Sequence, residues 1–392
     1  MIDEFSQFTP TPGDSNVCFH DGEGVEGARG NQAPARSACR GPGLVPLSSV
    51  ARFQELGLLS GSGKPRLNVA QGYFRRSENE NDLDLLEALY VHWRDLDEYM
   101  VLRSVQVNPK TLASNWSYVA VKCSKRGNDI YRSRVKRRLD WLSEGENVQF
   151  FDVTDFTTSK QVSSSAIWLT LTYNVQRCSR FDAIQNIGKE WNGFISALRQ
   201  KYGKISVLRT WECSEQGYPH IHAILLFQNA KFSVFPHFSE KEGKLTFRIK
   251  EKDEIASLWH SHADVQAVSS TKKLFNYMKK YQTKTLLASD SLKGTRTMSL
   301  LWLFRKRGFS VSGDFRRQLS DLIRNLRNSK TERRQSRLDG SLESASVWEF
   351  VGVFGGQELG IRPGAWASRL SREAIQLVQE RENEWKGSGQ WD

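Results

Sequence analysis

The segment 205–227 constrains the fold most. Residues 205–213 and 220–227 both read as apolar strands, separated only by Ser214-Glu215-Gln216-Gly217-Tyr218-Pro219. So short a connection turns the chain back on itself, and the two strands form an antiparallel hairpin. The second strand opens with His220-Ile221-His222, ahead of the apolar run Ala223-Ile224-Leu225-Leu226-Phe227. Residues i and i+2 of a strand share a face. Both imidazoles therefore project from one side of the sheet, and Ile221 points to the other.

The flanking segments supply the rest of a domain. Ile167, Leu169, Leu171 and Tyr173 alternate with Trp168, Thr170 and Thr172, which predicts a strand over 166–173. Ile184, Ile187, Trp191, Phe194, Ile195, Leu198 and Tyr202 recur at helical spacing, and Gly203 stops that helix. A lysine-rich helix is expected over 271–285. Strand, helix, hairpin and helix make an α+β domain: a central antiparallel sheet with helices on one face.

The remaining chain divides as follows. Residues 1–46, rich in Gly, Pro, Ser and Asn, read as a poorly ordered arm. Residues 47–110 form a small helical region, with Leu83, Leu85, Leu86, Leu89, Tyr90 and Trp93 along one apolar stripe. The nuclease-candidate domain spans 111–327 with its motifs in 165–315, and 328–392 is a charged linker and C-terminal extension. That extension is expected to hold a short strand pair and a helix bearing Ile375, Val378 and Glu382.

Charge and composition narrow the partners. A formal net charge of +12 points to a polyanion. No apolar run reaches the ~18 residues needed to span a bilayer. The N-terminus lacks the order of a secretory signal, so a cytoplasmic location is expected. Five scattered cysteines without a CxxC pair exclude a zinc ribbon or a disulfide framework. Gly61-Ser62-Gly63-Lys64 does not complete a phosphate loop, because Leu58 and Pro65 stand where glycine and a hydroxyl residue are needed. No ATPase or helicase domain is predicted.

Two imidazoles spaced for one ion need a further ligand. Glu212, just before the turn on the neighbouring strand, is brought toward them by the hairpin; Glu215, inside the turn, is the alternative. The second histidine pair, His260-Ser261-His262, has a polar centre and no following apolar strand, and is read as a surface pair. Downstream stands Tyr277-Met278-Lys279-Lys280-Tyr281-Gln282-Thr283-Lys284. On a helix Tyr277, Lys280, Tyr281 and Lys284 share one stripe, which as core would bury two ammonium groups. A tyrosine hydroxyl is a poor nucleophile at neutral pH, and a neighbouring ammonium favours its phenolate. Attack on a phosphodiester would leave a covalent phosphotyrosine and a free hydroxyl. The basic run 122–138 (Lys125, Arg126, Arg134 and Arg137 among it) and Arg305 and Arg307 are candidate DNA-backbone contacts.

Leu169-Thr170-Leu171-Thr172, Gly217-Tyr218-Pro219-His220-Ile221-His222 and Tyr277-Met278-Lys279-Lys280-Tyr281, in that order, resemble the three motifs of rolling-circle replication initiators of the HUH endonuclease class. The two-tyrosine form is similar to initiators of single-stranded DNA phages and of bacterial and archaeal plasmids and viruses. The resemblance covers about 165–315. It implies an RNA-recognition-like sheet core, Mg2+ or Mn2+ at the histidines, a 5′-phosphotyrosine, and a 3′-hydroxyl that primes synthesis. It also implies single-stranded origin DNA as substrate, with helicase and polymerase supplied by a prokaryotic host. Which tyrosine acts first stays open. A two-tyrosine transposase and a non-catalytic nucleic-acid binder are the alternative readings.

Overall fold

The computed structural model describes residues 47–76, 81–107, 114–144, 149–157, 161–239, 243–270, 291–315 and 348–388, with 272 and 276. Two compact units interleave along the chain. One is built from 97–123 and 348–388, the other from 47–96 and 124–315.

The first unit is a four-stranded antiparallel sheet. Strands β1 (Glu98–Val107) and β2 (Ser114–Lys122) form a central hairpin, flanked by β11 (Trp348–Gly355) on β1 and β12 (Ala367–Arg369) on β2. Helix α8 (Arg372–Ser388) closes a small core of Tyr99, Val101, Tyr118, Ala120, Val351, Phe354 and Val378. Arg103 of β1 reaches buried Glu382 of that helix at 2.8 Å and Glu349 of β11 at 2.8 Å. The C-terminal strands and helix are as expected, but the strands pair with β1 and β2 rather than with each other. Residues 98–107, expected within a helical region, are a strand. Met100-Val101-Leu102 and Val105 are apolar and β-branched enough to pair once β11 supplies the other edge.

The second unit holds the hairpin. Its N-terminal helices are α1 (Leu47–Glu55), α2 (Leu67–Arg76) and α3 (Asp82–Asp95), followed after the first unit by α4 (Asp129–Glu144). Strand β3 (Ser163–Ser164) joins β7 (Phe232–Ser239) and β8 (Lys244–Ile249) in a small sheet. The main sheet runs β10 (Phe309–Ser312), β5 (Ile205–Cys213), β6 (Pro219–Phe227), β4 (Ala166–Leu171), β9 (Ala263–Ala267), antiparallel throughout. Helices α5 (Arg180–Tyr202), α6 (Lys252–Ser257) and α7 (Leu292–Leu303) complete the described elements.

Helix α5 shows why the sheet has one dry face. Ser179 caps it, accepting from the Asp182 N–H, and Gly203 ends it at φ 81°. Gly203 suits that conformation, and an added Cβ would meet Asn229 at 3.0 Å. Phe181, Ile184, Ile187, Trp191, Phe194, Ile195 and Leu198 are all buried, and side chains of that size contribute about 1.5–3 kcal/mol each when fully buried. The helix lies on the Trp211 side: Arg209 sits between Trp191 and Trp211, 5.1 Å from each ring centroid. Trp211 is opposite Ile221 in the hairpin register. The histidines therefore face away from α5. Among the described residues no helix is long and apolar enough to cross a membrane.

Candidate functional site

The hairpin register assembles the site. Glu212 stands opposite His220, and Thr210 opposite His222, across β5 and β6. On the other side of β6, Thr170 of β4 stands opposite His222, and Asp264 of β9 opposite Thr170. Strand alternation puts these side chains on one face. Glu212 is 3% exposed and His222 6%, so both belong to the folded interior rather than to a solvated rim.

Individual distances define what the face can do. His222 Nε2 lies 3.6 Å from the Glu212 carboxylate, and its Nδ1 lies 3.2 Å from Thr170 Oγ1. Lys293, near the start of α7, places Nζ 3.1 Å from Glu212. Burial, reinforced by the charges of His222 and Lys293, lowers the His220 pKa to about 4, against the pull of Glu212. His220 is thus a neutral imidazole with a lone pair at physiological pH. Two imidazoles and a carboxylate are the donor types of a divalent metal site with open positions. Among the described residues, however, no group of three or more His, Cys, Asp or Glu side chains already converges to hold an ion. Lys293 occupies the open side of Glu212, and its half-exposed side chain is free to swing toward solvent.

The turn that aims His220 is fixed from several directions. Ser214 N–H donates to Tyr218 O at 2.8 Å, and Gly217 N–H to Ser214 O at 3.0 Å. Tyr218 Oη donates to the carbonyls of Val175 and Cys178, both at 3.1 Å. Gly217 has φ +83°, and a Cβ there would press on both Leu83 methyls at 3.2 Å. Arg296 of α7 pairs with Glu87 at 2.6 Å and Asp84 at 3.5 Å, and also donates to the Glu215 carbonyl. Helix α3, whose task the sequence does not disclose, is therefore a brace for this turn. Glu215 is exposed and Glu212 faces the histidines.

The remaining sequence candidates scatter. Tyr277, Lys280, Tyr281 and Lys284 lie outside the described residues. Lys125, expected to touch DNA, is buried, and its ammonium donates to the carbonyls of Trp93 at 3.0 Å and Leu96 at 2.7 Å. It caps the C-terminal end of α3, where a cation also suits the helix dipole. Burial lowers the Arg126 pKa, and its carbonyl accepts from Tyr90 Oη at 2.9 Å. A basic run conceals such a division of labour, because charge alone does not say which side faces out. Arg134, Arg137, Arg305 and Arg307 are exposed.

The second histidine pair needs correction. His262 is exposed as expected, but His260 is packed against Trp259 and Tyr173, with ring centroids at 4.2 and 4.8 Å. A strand, β9, does follow the pair; its buried Ala263, Val265 and Ala267 are too small a signal to stand out in sequence. Sequence reasoning also passed over Lys293, Arg296 and the individual role of Thr170. The first two carry no local signal, being ordinary helix cations until tertiary structure supplies their partners.

Comparison with known proteins adds one finding. No curated protein and no solved structure matches the chain. Residues 166–286, under a third of the sequence, match a family model of replication-associated proteins, those of the ORF2 type. The matched span opens on the first residue of β4, takes in the histidine hairpin, and closes after Tyr281. Over this span the chain is similar to replication-associated proteins.

Proposed function

We propose that this protein is a replication initiator that nicks single-stranded origin DNA by tyrosine attack and later rejoins the strand. The observation that carries the reading is the hairpin face, Glu212 opposite His220 with His222 beside them, lying within a span similar to replication-associated proteins. Neutral His220, His222 and the Glu212 carboxylate would hold Mg2+ or Mn2+, with Lys293 swinging aside. Such an ion, when bound, supplies Lewis-acid polarisation of a non-bridging phosphate oxygen.

The chain's own residues do the rest. Tyr277 or Tyr281, its phenolate favoured by Lys280 or Lys284, attacks phosphorus. The P–Oη bond forms and the bond to the 3′ oxygen breaks. The DNA 5′ end is left on tyrosine, and the leaving oxygen takes a proton to become a 3′-hydroxyl for a polymerase. The second tyrosine permits a second cleavage while the first holds its DNA end. Attack by a free 3′-hydroxyl reverses the step without external energy. Exposed Arg134, Arg137, Arg305 and Arg307 would contact the DNA backbone. Because the reading includes no helicase domain, unwinding falls to a host helicase.

The test uses end-labelled single-stranded origin oligonucleotide with Mn2+. Wild type should give a covalent protein–DNA adduct on a denaturing gel, and Tyr277→Phe with Tyr281→Phe should give none. Absence of any wild-type adduct would end the nuclease reading. Metal-dependent cleavage that survives His220→Ala plus His222→Ala would end the metal assignment alone.

A further inference from the structure

The face that carries His222 also carries the two side chains that hold its ring. Trp168, on β4, lies against the imidazole with centroids 5.7 Å apart and planes inclined by 25°. Its indole Nε1–H donates to Thr170 Oγ1 at 3.1 Å. The same oxygen is 3.2 Å from His222 Nδ1, while Nε2, on the far edge of the ring, is 3.6 Å from Glu212.

The donor inventory gives this row a direction. An indole nitrogen can only donate, and a hydroxyl both donates and accepts. Thr170 accepts from Trp168 and keeps one proton to give, which Nδ1 takes. The neutral ring then carries its own proton on Nε2, directed at a carboxylate that can only accept. Each proton in the row Trp168, Thr170, His222, Glu212 thus has a taker. The opposite order would leave the Thr170 hydroxyl proton without one inside the row.

We propose that Thr170 is a positioning residue for His222: its hydroxyl holds the ring so that Nε2 faces Glu212, and it sets which nitrogen carries the proton in the metal-free protein. The inference rests on reading His222 as a metal donor under the proposed function. For Nε2 to offer its lone pair to an ion, the ring proton must move to Nδ1. The Thr170 hydroxyl then rotates to accept it, and the ring stays neutral throughout. Partners of this kind, behind a ligating histidine, fix ring orientation and tautomer. Valine matches threonine in shape and can play neither part.

The test begins without metal. In protein carrying 15N-histidine, with His222→Ala to assign the signal, His222 should show the Nε2–H tautomer in wild type and in Thr170→Ser. Thr170→Val should lose that single pattern; Thr170→Ala serves if the valine variant does not fold. Mn2+ titration followed by electron paramagnetic resonance should then show affinity about 10–100-fold weaker in Thr170→Val, and near wild type in Thr170→Ser. A Thr170→Val protein with the wild-type tautomer overturns the proposal, as does one with unchanged Mn2+ affinity. Wild type that binds no Mn2+ would instead remove the metal reading, with the tautomer spectra still deciding the part of Thr170.

Discussion

Lys125→Met separates a cation that builds the fold from one that meets DNA. The ammonium is buried and donates to two carbonyls, Trp93 at 3.0 Å and Leu96 at 2.7 Å, with the Trp93 ring centroid 5.8 Å away. Hydrogen bonds from a charged donor are worth about 1.5–3 kcal/mol each. Methionine keeps the apolar stem and is spared the cost of burying an ammonium. The expected net loss is therefore about 3 kcal/mol, nearer one such bond than two. For a unit of this size that lowers the melting temperature by about 6–12 °C. The comparison variant is Arg307→Ala, which removes an exposed side chain and should leave stability within about 0.5 kcal/mol. Binding of single-stranded DNA, titrated against salt, supplies the second axis. Each phosphate contact contributes about 0.7 to the slope of log K against log salt for single strands. Arg307→Ala should reduce the slope by about that amount, and Lys125→Met, measured well below its melting point, should not. A Lys125→Met protein with wild-type stability and a reduced slope would refute the capping argument and return Lys125 to the DNA surface.

Three further outcomes are expected. Gly217→Ala combines a left-handed backbone with a Cβ pressed on Leu83; it should cost about 1–2 kcal/mol and reduce adduct formation, and adding Leu83→Ala should relieve the crowding but not the backbone strain. Arg305 sits at φ 52° just beyond α7, which favours glycine. Arg305→Gly should stabilise by about 1 kcal/mol in urea denaturation while weakening DNA binding in low salt. Burial, reinforced by Arg177 and opposed by Glu190, lowers the His260 pKa. The unfolded chain then binds more protons than the folded one below about pH 6.5, so stability falls as pH drops through that value. His260→Phe should flatten this part of the urea-midpoint profile between pH 8 and 5, and an unchanged profile would exclude His260 as its source.

The hairpin was legible from residues alone because its signals are local. Six residues between two apolar runs leave one way to connect them, and strand periodicity of two then settles the face of each histidine. Helix α5 was legible for the same reason, its stripe and its terminal glycine both lying within one segment. What escaped was decided by distant partners. Lys125 and Arg134 differ by nine positions within one basic run, yet one ends against the carbonyls of α3 and the other in solvent. The strand Glu98–Val107 pairs with a segment about 250 residues later in the chain, and no periodicity in either piece discloses that pairing. Lys293 meets Glu212 only because Thr297, on the same helix, accepts from the Cys213 N–H at 3.0 Å and docks α7 beside the end of β5.

That docking explains why the site tolerates so little slack. Moving β6 by one residue against β5 would send His220 and His222 to the face covered by α5 and bring Ile221 to the polar one. The hairpin alone resists such a slip through its apolar alternation, and the braces around its turn resist it again. Leu83 closes over Gly217, Arg296 holds the Glu215 carbonyl, and Tyr218 is tied to the 175–178 loop. These contacts come from α3, α7 and the start of α5's approach, none of which contributes a donor atom to the histidine pair. Their energetic effect should therefore appear as lost precision at the site before it appears as lost stability. Gly217→Ala is the case where the two can be compared, since its expected cost leaves the unit folded while the histidine strand begins two residues further on.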